Sequence, residues 1–364
     1  MIVITTQCFP PDRGGIEALM GGLGNALHEA GHGVTVFADR VRTANAAAFA
    51  PPYAVHRFGG LRPIRRWWKA QRVSAFVRDN DVTGIFADSW KSVERLPALR
   101  APIAVLVHGT EIPVSPSPSK RARIAATLGR AHAVVVNSQY TASVVRPYLA
   151  DGDKRLHLVR PPIGPQAEPS DAARAAFGAT IAGRAPVILT VARLEPRKGI
   201  DMIIAAMPAV LRVYPNALYV VAGDGADRER LQGLAAREGV AERVRFVGAV
   251  DGDNKAAIYA AADVFAMPSR RIGNSVESFG IAYLEAAWYG APALAGNDGG
   301  AADAVSDGET GLLCDGADGP SVTETLLKLL DEKRRTTLGA AARARAHGPA
   351  QWAQSLPLYL NALR

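Results

Sequence analysis

Short runs of apolar, mostly β-branched residues recur along this chain of 364 residues and alternate with stretches of helical periodicity. The runs lack a strict apolar/polar alternation, which is typical of strands buried on both faces of a parallel sheet. In the stretches between them apolar residues lie three and four positions apart, as at Ile16, Leu19, Leu23 and Leu27. This alternation constrains the fold more than any other feature, because it predicts doubly wound α/β layers.

The predicted strands form two series. The first comprises residues 2–4, 34–37, 84–87, 103–107, 133–136 and 156–159, and the second comprises 187–191, 217–222, 244–247, 263–266 and 292–294. Between the series, residues 160–165 read Arg-Pro-Pro-Ile-Gly-Pro, a composition typical of a stiff linker. We therefore expect two Rossmann-like domains, 1–164 and 165–349, with a short helix at the end of the chain.

The composition is that of an ordinary globular protein. Hydrophobic residues make up 48% of the chain and charged residues 21%, and no apolar run reaches the ~18–20 residues that a membrane-spanning helix needs. The first residues have no basic region and too short an apolar stretch for a signal peptide. Cys8 and Cys314 lie far apart in the sequence and form no disulfide framework. These features predict a cytoplasmic protein.

Charge is unevenly distributed along the chain, whose formal net charge is +8. Residues 1–165 carry 21 Lys and Arg against 11 Asp and Glu, a net charge of +10, whereas residues 166–364 carry 21 against 23, a net charge of −2. A basic first half predicts a polyanionic partner. On charge alone this partner is a nucleic acid or an anionic lipid surface, and a merely soluble basic surface is the remaining alternative.

Residues 277–285 read Glu-Ser-Phe-Gly-Ile-Ala-Tyr-Leu-Glu and place two glutamates eight positions apart. We expect Glu277 on the loop that enters a helix, residues 278–280 in the first helical turn, and Glu285 about two turns in. A helix N-terminus binds anions, and ionised carboxylates accept hydrogen bonds from sugar hydroxyls. The pattern indicates a site for a phosphate and a sugar. The alternative is an amphipathic helix with two solvated glutamates.

Two cations follow the strand predicted at 187–191. Arg193 and Lys198 lie on one short loop, Arg-Leu-Glu-Pro-Arg-Lys-Gly, and the ligands of α/β sheets bind at the carboxyl ends of the strands. A guanidinium offers a planar fork to a phosphate, and an ammonium offers a point charge. The position of the loop favours a phosphate site over two solvated surface cations.

Two further signals lie at strand ends in the first half. Gly14 and Gly15 join the first strand to the first helix, where a glycine pair lets the backbone approach a ligand closely. Glycines are also common at such turns without any ligand. His108 follows the strand predicted at 103–107 and precedes a glycine. A lone histidine is often structural, but the strand-end position favours a functional one.

Together these motifs resemble those of glycosyltransferase family four, which are retaining enzymes of the GT-B architecture. The family shows a Gly-Gly turn near the amino terminus, a His-Gly after a middle strand, an Arg-Leu-x-x-x-Lys-Gly loop and a Glu-x7-Glu with Phe-Gly inside. All four occur here in that order over essentially the whole chain. One departure lies at residues 299–303, Gly-Gly-Ala-Ala-Asp, where the family often has Gly-Gly-x-Pro-Glu.

The resemblance implies an architecture and a separate role for each domain. Two Rossmann-like domains face a central cleft, with the acceptor on the side of residues 1–164 and the nucleotide-sugar donor on residues 165–349. A last helix within residues 350–364 crosses back to the first domain. Arg193 and Lys198 then hold the donor diphosphate.

The resemblance also implies roles for the remaining site residues. The backbone at Phe279, Gly280 and Ile281 adds N–H donors to the diphosphate. Glu277 binds hydroxyls of the transferred sugar, and Glu285 accepts from the nucleotide ribose. On the first domain, His108 lines the reacting centre, and the turn at Gly14 and Gly15 approaches the diphosphate from the opposite side.

Residues 62–78 combine six basic side chains with the pair Trp67 and Trp68 and contain no acidic residue. Basic residues and tryptophan suit the headgroup region of an anionic bilayer. We therefore expect a peripheral contact with the inner face of the plasma membrane through the segment from Arg62 to Arg78. The alternative is a helix that packs Trp67 into the core. Binding to nucleic acid is disfavoured, because no nucleic-acid motif accompanies the segment.

No metal or cofactor is expected. Asp-x-Asp segments at 79–81, 151–153 and 251–253 lie in turn-like polar contexts without a Cys/His cluster, and no G-x-G-x-x-G follows the first strand. The sequence predicts a retaining, metal-independent hexosyltransferase that uses a UDP- or GDP-sugar and a lipid-linked or membrane-surface glycan acceptor. A nucleotide-sugar epimerase of the same architecture and a non-catalytic sugar-nucleotide-binding partner remain alternatives.

Overall fold

The computed structural model describes residues 1–41, 50–150 and 153–364. These residues form two compact units. The first unit comprises Met1–Gly164 together with Gln351–Arg364, and the second comprises Pro165–Ala350. Each unit contains one parallel sheet, and helices connect most of its successive strands.

The first unit contains a seven-stranded sheet. Its strands are β1 (Ile2–Thr6), β2 (Val34–Asp39), β3 (Ala54–Phe58), β4 (Gly84–Ala87), β5 (Ile103–Val107), β6 (Ala133–Val136) and β7 (Leu156–Leu158). Its helices are α1 (Gly15–Glu29), α2 (Arg62–Asp79), α3 (Trp90–Val93), α4 (Pro118–Gly129), α5 (Gln139–Val145) and, last in the chain, α14 (Trp352–Asn361). The strand order is β3-β2-β1-β4-β5-β6-β7. The winding direction therefore reverses between β1 and β4, the position at which doubly wound sheets bind ligands.

The second unit contains a six-stranded sheet in the order β10-β9-β8-β11-β12-β13. Its strands are β8 (Val187–Val191), β9 (Leu218–Ala222), β10 (Val244–Gly248), β11 (Val264–Met267), β12 (Ala293–Gly296) and β13 (Gly311–Cys314). Its helices are α6 (Asp171–Ile181), α7 (Ile200–Val213), α8 (Arg228–Arg237), α9 (Gly252–Ala260), α10 (Ile281–Trp288), α11 (Ala301–Ala304), α12 (Gly319–Leu330) and α13 (Glu332–His347). Here the winding reverses between β8 and β11.

Helix α14 packs on α1 of the first unit. A side-chain carbon added at Gly22 would lie 2.6 Å from the indole nitrogen of Trp352, so only glycine admits this close approach. Tyr359 on α14 is buried and packs edge-on against Phe86 of β4. The last residues of the chain thus complete the core of the first unit.

All eleven predicted strands are present, with ends that differ from the predicted ones by no more than two residues. Two strands were not predicted, β3 and β13. β3 pairs with β2 at an edge of its sheet, and β13 pairs with β12 at an edge of the other. No helix among the described residues is long and apolar enough to cross a membrane.

Candidate active site

The loop after β8 carries Arg193 and Lys198. Lys198 ends a short 3-10 turn, and its side chain is 11% exposed. The Arg193 side chain is 71% exposed and donates to Glu195 at 3.0 Å. An ion pair at this exposure stabilises little, so Arg193 can turn toward a ligand at low cost, whereas Lys198 is held in place.

Glu277 is bound by two cations of this loop. Its Oε2 accepts from Lys198 Nζ and from Arg197 Nη1, the latter at 3.0 Å. Burial by itself favours the neutral acid, but the charges of Lys198 and Arg197 outweigh it and hold the pKa of Glu277 below its ordinary value. Glu277 is therefore ionised at neutral pH and acts as a pure hydrogen-bond acceptor.

Five charged side chains thus form one connected group, which we call the donor cluster: Arg193, Glu195, Arg197, Lys198 and Glu277. The cluster contains three cations and two carboxylates and so carries a surplus of one positive charge. It lies after β8 and before α10, where the winding of the second sheet reverses. A preorganised positive charge at this position suits a phosphate-bearing ligand.

Helix α10 begins at Ile281, so the expectation that residues 278–280 form its first turn is wrong. Gly280 has φ 91°, in the left-handed region, and a right-handed helix cannot continue through that conformation. Glu285 is consequently the fifth residue of α10, little more than one turn from its start and not two. The backbone N–H groups of residues 279–281 make no hydrogen bond among the described residues. These donors remain available to an anion.

Both carboxylate oxygens of Glu285 have partners on α9. Lys255 Nζ donates to Oε1 at 2.6 Å and Tyr259 Oη donates to Oε2 at 2.8 Å. Burial and the charge of Glu285 raise the pKa of Tyr259 well above its ordinary value, so the phenol remains a donor. A carboxylate offers about four lone-pair sites, so Glu285 can still accept from a sugar hydroxyl.

At the carboxyl end of β4 in the first unit, buried Asp88 organises the loop after β1. Its Oδ2 accepts from the backbone N–H groups of Gln7 at 2.7 Å and Cys8 at 3.2 Å, and from Thr6 Oγ1 at 2.9 Å. These bonds tie together the ends of β1 and β4, between which the winding of the first sheet reverses. Asp88 thereby holds the start of the loop that leads into α1.

The remaining predicted residues of the first unit lie at strand and helix ends. Gly14 caps α1, and Gly15 is its first residue. His108 directly follows β5 and is buried, and its Nε2 has no hydrogen-bond partner among the described residues. Three residues further on, Glu111 accepts the backbone N–H of His108 through Oε1 at 2.8 Å.

Some basic residues of helix α2 lie in the interior and others lie at the surface. Lys69 is 2% exposed and donates to Asp39 at 2.8 Å and to the backbone carbonyl of Thr6 at 2.6 Å. Arg65 pairs with the same Asp39 at 2.9 Å. The expectation that all six basic residues face a membrane is wrong for these two, because the buried carboxylate of Asp39 needs their charge.

The two tryptophans of α2 lie at the surface. Trp67 is 47% and Trp68 is 54% exposed, and their rings form an edge-to-face pair with centroids 5.2 Å apart. The alternative in which Trp67 packs into the core is therefore wrong. Leu61 and Ile64 are also exposed, so these four residues define an exposed apolar patch, which we call the tryptophan patch.

The Asp-x-Asp segments are dispersed. Asp79 is the last residue of α2, and residues 151 and 152 lie outside the described residues. Asp251 precedes α9, and Asp253 accepts from the backbone N–H of Ser170 at 2.8 Å at the start of α6. In the part of the chain that the structure describes, no three His, Cys, Asp or Glu residues are grouped so that they could hold a metal ion.

Several residues that contact the predicted ones were not among the candidates, and they include Arg197, Lys255, Tyr259 and Glu111. Arg197 stands in the same motif as Lys198, and its charge alone could have indicated a partner for Glu277. Lys255 and Tyr259 lie four positions apart, which places both on one face of a helix. For Glu111 the signal was its position three residues after His108 in a glycine-containing turn.

The fold and these motifs define a glycosyltransferase of the GT-B architecture. The model of "Glycosyltransferase Family 4" matches residues 13–166, and that of "Glycosyl transferases group 1" matches residues 173–345. The chain belongs to the glycosyltransferase family that these two models together describe.

Relatives that match over nearly the whole chain include two mannosyltransferases. The GDP-mannose-dependent alpha-(1-6)-phosphatidylinositol monomannoside mannosyltransferase of Mycobacterium tuberculosis is 33% identical over 359 residues, which cover 94% of this chain and 92% of the relative. The GDP-mannose-dependent monoacylated alpha-(1-6)-phosphatidylinositol monomannoside mannosyltransferase of Corynebacterium glutamicum is 30% identical over 368 residues, which cover 96% and 93%.

Solved structures confirm the predicted fold. Sucrose-phosphate synthase from Thermosynechococcus elongatus superposes with a TM-score of 0.79 at 23% identity and covers 99% of this chain and 98% of that one. The Anabaena protein HepE, in complex with UDP and glucose, gives a TM-score of 0.76 at 18% identity over the whole of both chains. At these identities the likeness shows the architecture alone.

Proposed function

We propose that this protein transfers a mannosyl group from GDP-mannose to a glycolipid of the phosphatidylinositol mannoside class, with retention of configuration. The observation that carries the proposal is the donor cluster beside the unbonded N–H groups at the start of α10. The choice of donor and acceptor is supported by the two mannosyltransferase relatives, which match nearly the whole chain.

On the donor side, the leaving nucleoside diphosphate gains negative charge as its bond to the sugar breaks. Lys198, Arg193 and the N–H groups of residues 279–281 are placed to stabilise this charge, and such preorganised donors act most strongly in the transition state. Glu277 accepts hydroxyl hydrogen bonds from the transferred sugar. Glu285 accepts from the ribose, while Tyr259 fixes its orientation.

The proposed retention follows front-side attack by the acceptor hydroxyl, with the leaving phosphate taking the proton of that hydroxyl. Glu277 is a poor nucleophile, because Lys198 and Arg197 hold its negative charge. Its depressed pKa also makes it a weak base. The mechanism therefore assigns Glu277 to binding of the sugar and assigns the proton to the phosphate.

We further propose that transfer needs no metal ion and no cofactor. The donor cluster offers Arg193 and Lys198 to a diphosphate and has a surplus of positive charge, and in other phosphate sites a divalent ion provides such charge. The reaction is expected to proceed unchanged in the presence of a chelator.

On the acceptor side, the positive charges of several basic residues act on Lys91. Burial lowers the pKa of Lys91, and the positive charge of Arg66 lowers it further, with Lys120 and Arg62 adding to the effect and Glu111 opposing it. Like charges that interact in this way are stabilised by an anion. We propose that this group attracts the phosphate of the acceptor headgroup.

The tryptophan patch provides the membrane contact in this proposal. Its indole rings suit the interfacial region, and the exposed cations Arg62 and Arg72 of the same helix suit anionic headgroups. Peripheral binding at the inner face of the membrane would bring the first unit to a lipid-linked acceptor. The interior cations Arg65 and Lys69 take no part in it.

Thermal unfolding with nucleotide sugars tests the donor assignment. A ligand at 100 times its Kd adds about 2.7 kcal/mol of stability to the folded state, so saturating GDP-mannose should raise the melting temperature by several degrees more than UDP-glucose. Lys198→Ala should abolish this rise, and the exposed control Lys333→Ala should retain it. A larger rise with UDP-sugars, or an equal rise in both variants, contradicts the assignment.

A further inference from the structure

We propose that the first unit contains a further ligand site, a basic cavity at the amino-terminal edge of its sheet that binds a soluble nucleoside diphosphate. The cavity has a volume of about 940 Å³, which is ample for a small molecule. It lies where β5, β6 and β7 begin, at the opposite edge of the sheet from the loops after β1, β4 and β5. The site is therefore separate from the one proposed for the acceptor, and it goes beyond the proposed function.

The lining of this cavity is basic. No Asp or Glu is among the described residues that line it, and its cations include Arg100, Arg130, Lys154 and Arg155. Asp153 neutralises Arg155, to which it is bound at 2.5 Å. The other three have no carboxylate partner among the described residues, so part of the positive surplus of residues 1–165 is gathered at one cavity. Such a concentration of charge attracts an anion.

Backbone carbonyls hold two of these cations in place. Arg100 Nη2 donates to the carbonyls of Asn80 at 2.7 Å and Val77 at 3.1 Å, at the end of α2. Arg130 Nη1 donates to the carbonyl of Leu96 at 2.8 Å. A helix end carries roughly half an elementary negative charge, which offsets only part of a guanidinium. Each arginine thus remains a fixed cation with further N–H donors for phosphate oxygens.

Lys154 and two histidines add donors to the same cavity. The Lys154 side chain is exposed, and its ammonium has no hydrogen-bond or ion-pair partner in the part of the chain that the structure describes. His132 directly precedes β6, and His157 lies in β7. A neutral imidazole offers one N–H donor and an ammonium offers three. Donors from several separate elements suit the many oxygens of a diphosphate better than a single carboxylate.

The remainder of the lining is largely apolar. It includes Pro97, Leu99 and Pro102 of the segment before β5, and Leu363 after α14. Ligand sites commonly combine apolar walls with a few polar groups that fix the orientation of the ligand. An inorganic phosphate would leave this apolar surface uncovered, whereas the base of a nucleotide covers it. We therefore assign the cavity to a nucleoside diphosphate.

The position of the cavity favours a soluble ligand over a lipid headgroup. Arg100 binds the last turn of α2, whereas the tryptophan patch belongs to the first turns of that helix. Trp68 and Val77 are nine residues apart, which is about 14 Å along the helix axis. A membrane that receives the indole rings therefore lies away from the cavity.

Equilibrium dialysis with radiolabelled GDP, ADP and UDP, each in turn, tests the site. The parent protein carries Lys198→Ala, which removes the proposed donor site of the second unit, and it should still bind one of the three nucleotides. Adding Lys154→Glu should weaken this binding roughly 10- to 100-fold, the effect of losing a hydrogen bond from a charged group. Lys333→Glu makes the same change of charge at an exposed lysine of α13 and should bind as the parent does.

Ala98→Trp tests the cavity without removing any charge. Ala98 is exposed and lines the cavity, so an indole at this position occupies the space of the nucleotide. We expect nucleotide binding to weaken by a similar factor, with the melting temperature close to that of the parent. Because neither arginine is altered, the ends of α2 and α3 keep their hydrogen bonds in this variant.

Photolabelling of the wild type with an azido analogue of the bound nucleotide locates the base. Label in peptides that contain residues 97–103 or 361–364 supports the site, and label confined to the second unit overturns it. Three dialysis results also overturn it. They are no binding of any nucleotide by the parent, unchanged affinity in both Lys154→Glu and Ala98→Trp, and an equal loss in Lys333→Glu, which would indicate a general effect of charge.

Two further arms test the kind of ligand. Inorganic pyrophosphate that binds the parent as tightly as the nucleotide would contradict the role of the apolar wall. Binding through Lys154 that is found only with anionic vesicles would assign the cavity to a lipid headgroup and contradict the soluble ligand. A protein that transfers no mannose contradicts the proposed function alone, because none of these measurements requires transfer.

Discussion

The guanidinium of Arg197 donates to the Glu277 carboxylate at 3.0 Å and, through Nε, to Glu195 at 2.9 Å. One side chain thereby connects the carboxylate of Glu195, two residues away, with that of Glu277, 80 residues away. The Glu277 carboxylate, which we propose binds the transferred sugar, is therefore positioned by the same loop to which we assign the diphosphate.

Removing either of the two cations that we assign to the phosphate should slow transfer sharply. Lys198→Ala and Arg193→Ala are each expected to lower kcat on the order of 10²–10³-fold, the effect of losing one preorganised electrostatic contact. The exposed control Arg245→Ala, on β10, should leave kcat unchanged. Steady-state kinetics with saturating donor measure this, and kcat within threefold of wild type for both variants rules out the phosphate assignment.

Removing Arg197 should move the pH profile. Lys198 and Arg197 hold the pKa of Glu277 below its ordinary value against the effect of burial, so the carboxylate is lost only as the pH falls through that depressed pKa. Arg197→Met removes one cation and leaves the burial, which raises the pKa and shifts the acid limb of kcat/KM to higher pH. Arg245→Met is the control.

The ion pair between Arg197 and Glu277 also makes the stability of the folded protein depend on pH. A carboxyl whose folded-state pKa is depressed contributes stability that is present above its unfolded pKa and is lost as the pH falls through the folded value. Arg197→Met should therefore reduce stability most at neutral pH and least in acid. An unmoved acid limb together with equal destabilisation at every pH would show that Arg197 does not control Glu277.

Glu285→Gln should weaken donor binding more than it slows chemistry, since the proposed contact is with the ribose. We expect KM for the donor to rise about tenfold, with kcat changed less. Tyr259→Phe, which removes the 2.8 Å bond to Glu285, should raise KM in the same direction by a smaller factor. Tyr289→Phe loses a bond to a backbone carbonyl instead and serves as the control. A fall in kcat with unchanged KM would place Glu285 at the reacting sugar.

Anionic vesicles should bind the protein through the surface of α2. Each basic residue near such a membrane contributes about 1 kcal/mol, screened by salt. The double variant Arg62→Ser/Arg72→Ser and the double variant Trp67→Ser/Trp68→Ser should each reduce co-sedimentation at low salt. A matched pair of exposed cations on α13, Lys333→Ser/Arg334→Ser, should not. Equal binding to neutral and anionic vesicles, or no loss in either α2 variant, leaves α2 as ordinary surface.

The buried strands were predictable because their apolar side chains directly indicate a buried environment. All five residues of β1 and all five of β9 are buried, and the apolar runs at residues 2–4 and 218–222 indicate this burial in the sequence. By contrast, β3 reads Ala-Val-His-Arg-Phe, and every residue in it is at least partly exposed. In β13 the two leucines, Leu312 and Leu313, are only partly buried. Edge strands of this kind owe their conformation to a neighbour and not to their own pattern.

The sequence predicted which residue types form the site, but it did not predict which of these residues contact each other. The sequence identified Glu277 and Lys198 by their motifs, yet it could not show that they bind each other, because 79 residues separate them. Lys69 illustrates the same limit: its burial depends on Asp39, 30 residues away. Gly280 could have indicated the later start of α10, since glycine is the residue that adopts a left-handed conformation at least cost.

Transfer of mannose to a lipid acceptor tests the central claim most directly. The protein is incubated with radiolabelled GDP-mannose and phosphatidylinositol monomannoside in anionic vesicles, with EDTA present throughout. We expect a glycolipid with one added mannose in the α configuration. When the acceptor is left out, we expect GDP-mannose to remain unchanged. Lys198→Ala should form this product on the order of 10²–10³-fold more slowly. Any of four results would contradict the account. They are a β-linked product, a requirement for added Mg²⁺ or Mn²⁺, an epimerised donor in the absence of acceptor, and no lipid product at all.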